Sequence, residues 1–488
     1  MTISRDASNS PEKDFAEAFI DRNEHAISTL NDSIFYFGEL GMQEFETAKL
    51  MSGLLEEDGF SVERGIAGFP TGFCATYGSG EPVIAIHTEY DSNPDNSQRA
   101  GVTEQASIVE GAPGHCEGHN VNGAVMIAGA LAARRAMEKH GLKGTLKVFG
   151  APAEEQLVSR PYIVREGYFD DVDIAIAPHI ASEFGVGYGL IQSALISATF
   201  TFHGESAHAG VAPWKGRDAL DGVVLMDAGV AQYREHMTKT MSAQRVITNG
   251  GDQPNVVPRK AAVWWYFRDT TADGAMKLFD RASKIAQGAA LMSDTTVEID
   301  VMSAVWPVRG NQTVAELVQR EYERVGQPQW SEEEDQLARE LQAKAKVKVE
   351  GLSREVHRMK GPASQKPSAN DAGDVSWKVP MAKMYFPANI PNINFHHWAA
   401  GVALGTSIAH KGACAGAKVL ANSVIECLVN PAVVAQAKET FAKEIAGTPF
   451  KSMLPPDQKP PVTLNAPTMA KYRDAMREHY EKEKPVFS

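Results

Sequence analysis

The chain has 488 residues, more than one hydrophobic core usually organises, so two or more structural units are expected. Apolar residues make up 43% and charged residues 22%, an ordinary globular balance. The formal net charge of −13 argues against a nucleic-acid partner, which needs clustered Lys and Arg. The four cysteines, Cys74, Cys116, Cys414 and Cys427, include no CxxC pair and are too sparse for a disulfide framework. The opening MTISRDASNSPEKD is polar and has no apolar signal core. Apolar stretches read as too short for a membrane span. The expectation is a soluble, cytoplasmic protein with no membrane contact.

From about residue 15 to 60 the pattern is helical, with Ala16, Phe19 and Ile20 opening an apolar face and Gly38 and Gly41 punctuating it. Short β-rich runs follow at 73–77 and 83–87. A small-residue helix runs from Asn120 to a stop at Gly141. Residues 144–150 and 172–177 read as buried strands. Strands alternating with helices predict an α/β layer with a mainly parallel sheet. The pattern changes near Gly189. Strands at 194–203, 245–247, 261–268 and 296–302 alternate with helices at 218–237 and 274–291. That is a self-contained sheet-plus-two-helices block. Later, Ser331 and Glu334 complete a capping box at a helix start. Residues 361–370 read as a loop, and a Pro-rich link at 455–461 leads to a C-terminal helix.

Several sheet-edge loops carry metal-ligand chemistry. GHCEGHN (114–120) places Glu117 and His119 two apart, beside glycines that let the backbone turn tightly. Carboxylate with imidazole suits zinc or manganese. APAEEQ (151–156) puts adjacent carboxylates after a strand, where α/β sheets place their sites. His179 ends the next strand, Glu89 and Asp91 end an earlier one, and His396 and His397 stand far downstream. Taken singly, each reads as well as a surface or structural residue. Their convergence is what a two-metal hydrolase requires.

The ordered segments EYD (89–91), GHCEGHN, PAEE (152–155), APH (177–179), GESAHAGVAPWKGRDALD (204–221), PNVVP (254–258), GDVSW (373–377) and SIAHKG (407–412) resemble the M20 family of metallopeptidases and amidohydrolases. The likeness covers about residues 15–430 and is strongest to the aminobenzoyl-glutamate hydrolase branch. It implies a discontinuous α/β catalytic domain, 1–192 and 303–488, and an inserted α+β dimerisation or lid domain, 193–302. It implies a general base at Glu154 and metal ligands at Glu117, His119, Glu155, His179 and His396. Asp91 matches a carboxylate that orients a ligand. His208 matches a residue that reaches across a dimer to the oxyanion, and Asn255 and Arg268 match positions that hold a substrate carboxylate. Two divalent ions, zinc or manganese, and a homodimer follow from the same likeness, as does a possible related second subunit.

Departures are informative. The branch's Cys-Gly-His motif puts Cys where this chain has Glu117, with Cys116 one place early. A carboxylate there shifts preference toward harder ions such as manganese. Glu89 stands where much of the family has a His ligand, and His397 replaces a small residue. Trp264, Trp265 and Tyr266 read as strand and interface packing; Trp214, Trp377 and Trp398 read as core or as an aromatic pocket. His203, His236 and His410 read as structural or surface. The expected reaction is amide hydrolysis of a small N-acyl amino acid, an aromatic conjugate in the first place. A dipeptidase with the same machinery is the near alternative, and a non-catalytic binding or partner subunit is the distant one.

Overall fold

The computed structural model describes residues 10–488. Among them twelve strands occur in chain order: β1 (Ser61–Arg64), β2 (Phe73–Ser79), β3 (Val83–Thr88), β4 (Gly144–Gly150), β5 (Ile174–Ala181), β6 (Gly189–Leu190), β7 (Ala194–His203), β8 (Ser242–Asn249), β9 (Lys260–Asp269), β10 (Thr296–Val305), β11 (Arg309–Gly310) and β12 (Met381–Pro387).

The main sheet has the order β1-β2-β4-β3-β5-β12. β4, β3, β5 and β12 pair in parallel, while β1 and β2 pair antiparallel at one edge. β3 and β5 are near-continuous apolar runs because both of their faces are covered. One face packs against the helices Pro11–Arg22, Glu24–Phe37, His119–His140 and Ser407–Val429. The other is covered around Ser159–Arg165 and Gly373–Lys378. The helices His119–His140 and Ser407–Val429 can approach closely because Gly129 faces Leu420, where an added Cβ would sit 2.8 Å from Cδ2.

A second sheet, β10-β7-β9-β8, is antiparallel throughout. The helices Ala219–Tyr233 and Ala272–Met292 pack on it around Phe200, Phe202, Trp265 and Phe267. Its edge strand β8 is largely exposed and shows Val246 and Ile247 to solvent.

Several expectations need correction. The helical region 15–60 is three helices: it breaks at the expected Gly38, which is left-handed, and also at Asn23, which ends the first helix. β5 runs on to Ala181, so His179 lies within the strand rather than at its end. β12 was not expected. Its sequence MAKMYFP has few strong β-formers and is held by pairing with β5. The helix Ser407–Val429 is long and apolar enough to cross a membrane by length and composition, contrary to the sequence reading. It is mostly buried inside the protein, which accounts for its apolar surface equally well. Ser331 and Glu334 do form a reciprocal capping box.

Candidate metal centre

The parallel strands release their loops at one sheet edge, where α/β folds gather ligands. β3 runs out into Glu89 and Asp91, and β4 leads to the turn Glu154–Gln156. His119 is the first residue of its helix, set by Gly118 at φ 100°. An added Cβ at Gly118 would lie 2.5 Å from Ile180 Cδ1, so only glycine lets this loop pass β5. Ala153 and Leu157, on either side of the carboxylate turn, also hold positive φ (58° and 59°), as does His396 (64°). Left-handed non-glycine backbone costs energy and is kept where the surroundings over-determine it.

Two buried imidazoles have fixed tautomers. His119 Nδ1 lies 3.1 Å from both the Asp91 carbonyl and Asp91 Oδ1, two acceptors, so Nδ1 carries the proton. His179 Nδ1 lies 2.9 Å from the Ile180 carbonyl and is protonated for the same reason. In both rings Nε2 is therefore the nitrogen turned toward the cluster, the one a metal would take. His119 Nε2 is 3.8 Å from Glu154 Oε2, and His179 Nε2 is 3.5 Å from Glu89 Oε1 and 3.6 Å from Glu117 Oε1. The exposed His396 places Nε2 2.6 Å from Glu117 Oε2 and 3.3 Å from Glu155 Oε2. Asp91 also accepts from the Glu155 backbone N–H at 2.9 Å, tying the carboxylate turn to the His119 acceptor.

The electrostatics reflect crowded negative charge. Burial raises Glu154 well above the usual carboxylate range, and Glu117, Glu89 and Glu155 add to it. Burial and Glu117 raise Glu155 as well. Hydrogen bonds to Glu117 and Glu155 push His396 up to about 10. Burial, then Lys383, pull His179 down to about 4, the neutral form a ligand needs. For His119, burial opposes the charge, but the Asp91 hydrogen bond and the surrounding carboxylates prevail and raise it. Protons gather in such a cluster unless cations neutralise it.

The donor set fits divalent ions. Glu89, His119 and His179 offer ligand atoms within 4.8 Å of one another, and so do Glu117, Glu155 and His396. His119 Nε2 and Glu155 Oε1 are buried without any hydrogen-bond partner, a costly state that a cation relieves. Oxygen and imidazole donors suit zinc or manganese. Cys116 stands outside the set: its Sγ donates to Asn93 Oδ1 at 3.1 Å, whereas Glu117 faces the imidazoles. Because Asp91 fixes the His119 tautomer, Asp91→Asn should weaken metal affinity about 10–100-fold in a chelator competition. Unchanged affinity would refute the orienting role.

Some residues at the site went unread in the sequence. Arg160, fully buried, pairs with Glu89 and Asp371 and donates from Nε to His87 Nδ1 at 3.0 Å. Lys383 is a buried lysine on β12, and Asn370 donates to Glu154 Oε1 at 2.5 Å. The available signals were charges inside apolar runs, SRPYIVR and MAKMYFP, since buried Arg and Lys need a reason. His397 caps the short helix Trp398–Gly401 and contacts Trp398, so it is a structural residue rather than a competing ligand. His410 pairs with Asp32, and Lys411 with Glu334, away from the cluster. The three tryptophans do not form one pocket: Trp214 is exposed, Trp377 packs on Trp306, and Trp398 joins a core around Trp330.

The second sheet brings its expected residues less close. His208 is exposed and bonds within its own loop, accepting from the Gly210 N–H at 3.2 Å. Asn255 is its neighbour, since the Ala209 N–H donates to the Asn255 carbonyl. Arg268 is half-buried and lies over the Tyr266 ring, 5.4 Å from its centroid. Tyr266 packs with Leu157 and Ala369, and burial raises its phenol, with a smaller contribution from the charges of Glu154 and Glu155. Arg268 is thus one ring away from the acidic cluster, while His208 and Asn255 touch none of it.

Comparison with known proteins supplies the rest. The M20 peptidase dimerisation domain matches residues 191–292. One of the p-aminobenzoyl-glutamate hydrolase subunits of Escherichia coli K12 is 31% identical over 91% of this chain and 98% of its own. The mouse Xaa-Arg dipeptidase is 25% identical over 86% of this chain and 90% of its own. In fold, the chain resembles an aminobenzoyl-glutamate utilization protein from Klebsiella pneumoniae (TM-score 0.58, 18% identity, 83% of this chain and 97% of that one). It also resembles a dinuclear metal-binding M20 peptidase from Bacillus subtilis (TM-score 0.54, 19% identity, 84% and 99%). With a relative this similar along nearly the whole of both sequences, the chain belongs to the M20 family of metallopeptidases and amidohydrolases.

Proposed function

We propose that this chain hydrolyses the amide bond of a small N-acyl amino acid with an aromatic acyl group. The observation that carries the reading is the convergence of His119, His179, His396, Glu117 and Glu155 around Glu154. One ion would be held chiefly by His119 and His179, the other by Glu155 and His396, with Glu117 within reach of both. When bound, the ions supply Lewis acidity to the carbonyl and lower the pKa of water.

The side chains then divide the work. Glu154 removes a proton from the attacking water and returns it to the leaving amine, so that water and amide become carboxylate and amine. Asp91 and the Ile180 carbonyl hold the two buried imidazoles in their liganding tautomers. Tyr385 and Phe395 flank His179 at ring-centroid distances of 5.7 and 6.4 Å, and Phe395 is 39% exposed. That aromatic wall beside the ligands supports an aromatic acyl group.

The second sheet would serve as lid and dimer interface. Its exposed edge strand β8, with Val246 and Ile247, offers unpaired backbone to a second copy. His208 and Asn255 would act from the partner subunit on the oxyanion and the substrate carboxylate, a reading supported by their lying apart from the cluster of their own chain. Arg268 would bind that carboxylate through its planar fork. A dipeptidase is the second reading, favoured by the Xaa-Arg dipeptidase relative.

The test is amine release from a panel of N-aroyl amino acids, N-acetyl amino acids and dipeptides, using protein loaded with manganese or zinc. Turnover of aroyl conjugates above dipeptides supports the proposal. Preference for a free amino group moves the assignment to a dipeptidase, and no turnover with metal bound moves it to a binding or partner subunit.

A further inference from the structure

Asn370 arrives 216 positions after Glu154 and is only 3% exposed. Its Oδ1 accepts the Ala372 backbone N–H at 2.9 Å, and its own backbone carbonyl accepts the Gly373 N–H at 3.2 Å. A side-chain amide has one acceptor oxygen, and here it faces a donor. The orientation of the amide is therefore fixed by the turn, and the NH2 end must point at Glu154 Oε1, 2.5 Å away.

The next residue completes the grip. Asp371 accepts from the Arg160 backbone N–H (3.1 Å), the Ser159 hydroxyl (3.3 Å) and the Arg160 guanidinium. One dipeptide thus holds the base itself and the helix Ser159–Arg165 that follows it. The other face of the Glu154 carboxylate, Oε2, looks toward His119 Nε2 at 3.8 Å.

We infer that Asn370 is a positioning residue for the reaction, committing Glu154 Oε1 and reserving Oε2 as the oxygen that takes and returns the proton. An amide N–H can only donate, so Oε1 stays an acceptor in both protonation states of Glu154. The proton taken from water then sits on Oε2, on the ligand side, until it passes to the leaving amine. This rests on the reading of Glu154 as the general base.

Two substitutions separate positioning from mere structure. Asn370→Asp keeps the size and the acceptor for the Ala372 N–H but replaces the donor with a second negative oxygen against Glu154. Asn370→Ala removes both contacts. Positioning predicts that Asn370→Asp loses more kcat than Asn370→Ala, about 100-fold or more against about 10-fold, with KM within about threefold and metal content unchanged. A structural role predicts the reverse order, with Asn370→Ala the worse and Asn370→Asp near wild type; that result overturns the inference. Melting temperatures read in parallel show whether each variant folds. Should Asn370→Asp not fold, Asn370→Ser shortens the side chain beyond reach of Glu154, and wild-type kcat in that variant would overturn the inference equally. An inactive wild type would remove the reading of Glu154 as base, and this inference with it. An active wild type with the reversed order removes this inference alone.

Discussion

Glu154→Gln is expected to lower kcat by about 10³- to 10⁴-fold while leaving the fold and the metal content intact. The replacement is isosteric and removes only the capacity to take a proton. Glu154 is 5% exposed and lies within hydrogen-bond reach of Asn370, so the amide can occupy the same position. Its loss does not remove a primary ligand in either three-residue group that excludes it, Glu89–His119–His179 or Glu117–Glu155–His396. Elemental analysis should therefore find the wild-type metal content in an inactive protein. Turnover within tenfold of wild type would show that another group is the base.

Dialysis against a strong chelator is expected to abolish hydrolysis, and manganese or zinc should restore it. A second effect is expected on stability. Glu89, Asp91, Glu117, Glu154 and Glu155 converge at the sheet edge, and among the described residues Arg160 on Glu89 is the one Arg or Lys ion-paired with them, the imidazoles apart. Ions bound only by the folded chain stabilise it by about 4 kcal/mol at a thousandfold excess over Kd. Removing them should lower Tm by about 5 °C or more. Scanning calorimetry of the treated and reloaded protein checks this. Full activity after chelation, with metal shown absent, would end the two-ion account.

Much of this was legible because the chemistry is local in sequence. Glu117 and His119 stand together at a helix start, and Glu154 and Glu155 are adjacent after a strand whose apolar run is visible. The capping box at Ser331 is likewise a four-residue signal. What escaped depends on pairings between distant segments. β12 is a strand because β5 is beside it, and its buried Lys383 gains meaning only from that placement. Asn370 lay in a Ser/Pro-rich stretch that reads as loop, and nothing local links it to a carboxylate 216 positions earlier. Arg160 gains its meaning only from Glu89 and Asp371, which come from distant segments to pair with it. His208 and Asn255 fail differently: the sequence pattern marks them, yet one chain alone keeps them apart from the site.

If these side chains form a two-ion hydrolytic centre, the positions of both ions are fixed by the ligands. A crystal structure of manganese-loaded protein, with anomalous density measured at the manganese edge, tests it most directly. Two peaks per subunit are expected, one against His119 and His179 and one against Glu155 and His396, with Glu117 touching both. A loaded and active protein whose peaks lie elsewhere, or that shows a single peak away from Glu117, would contradict it.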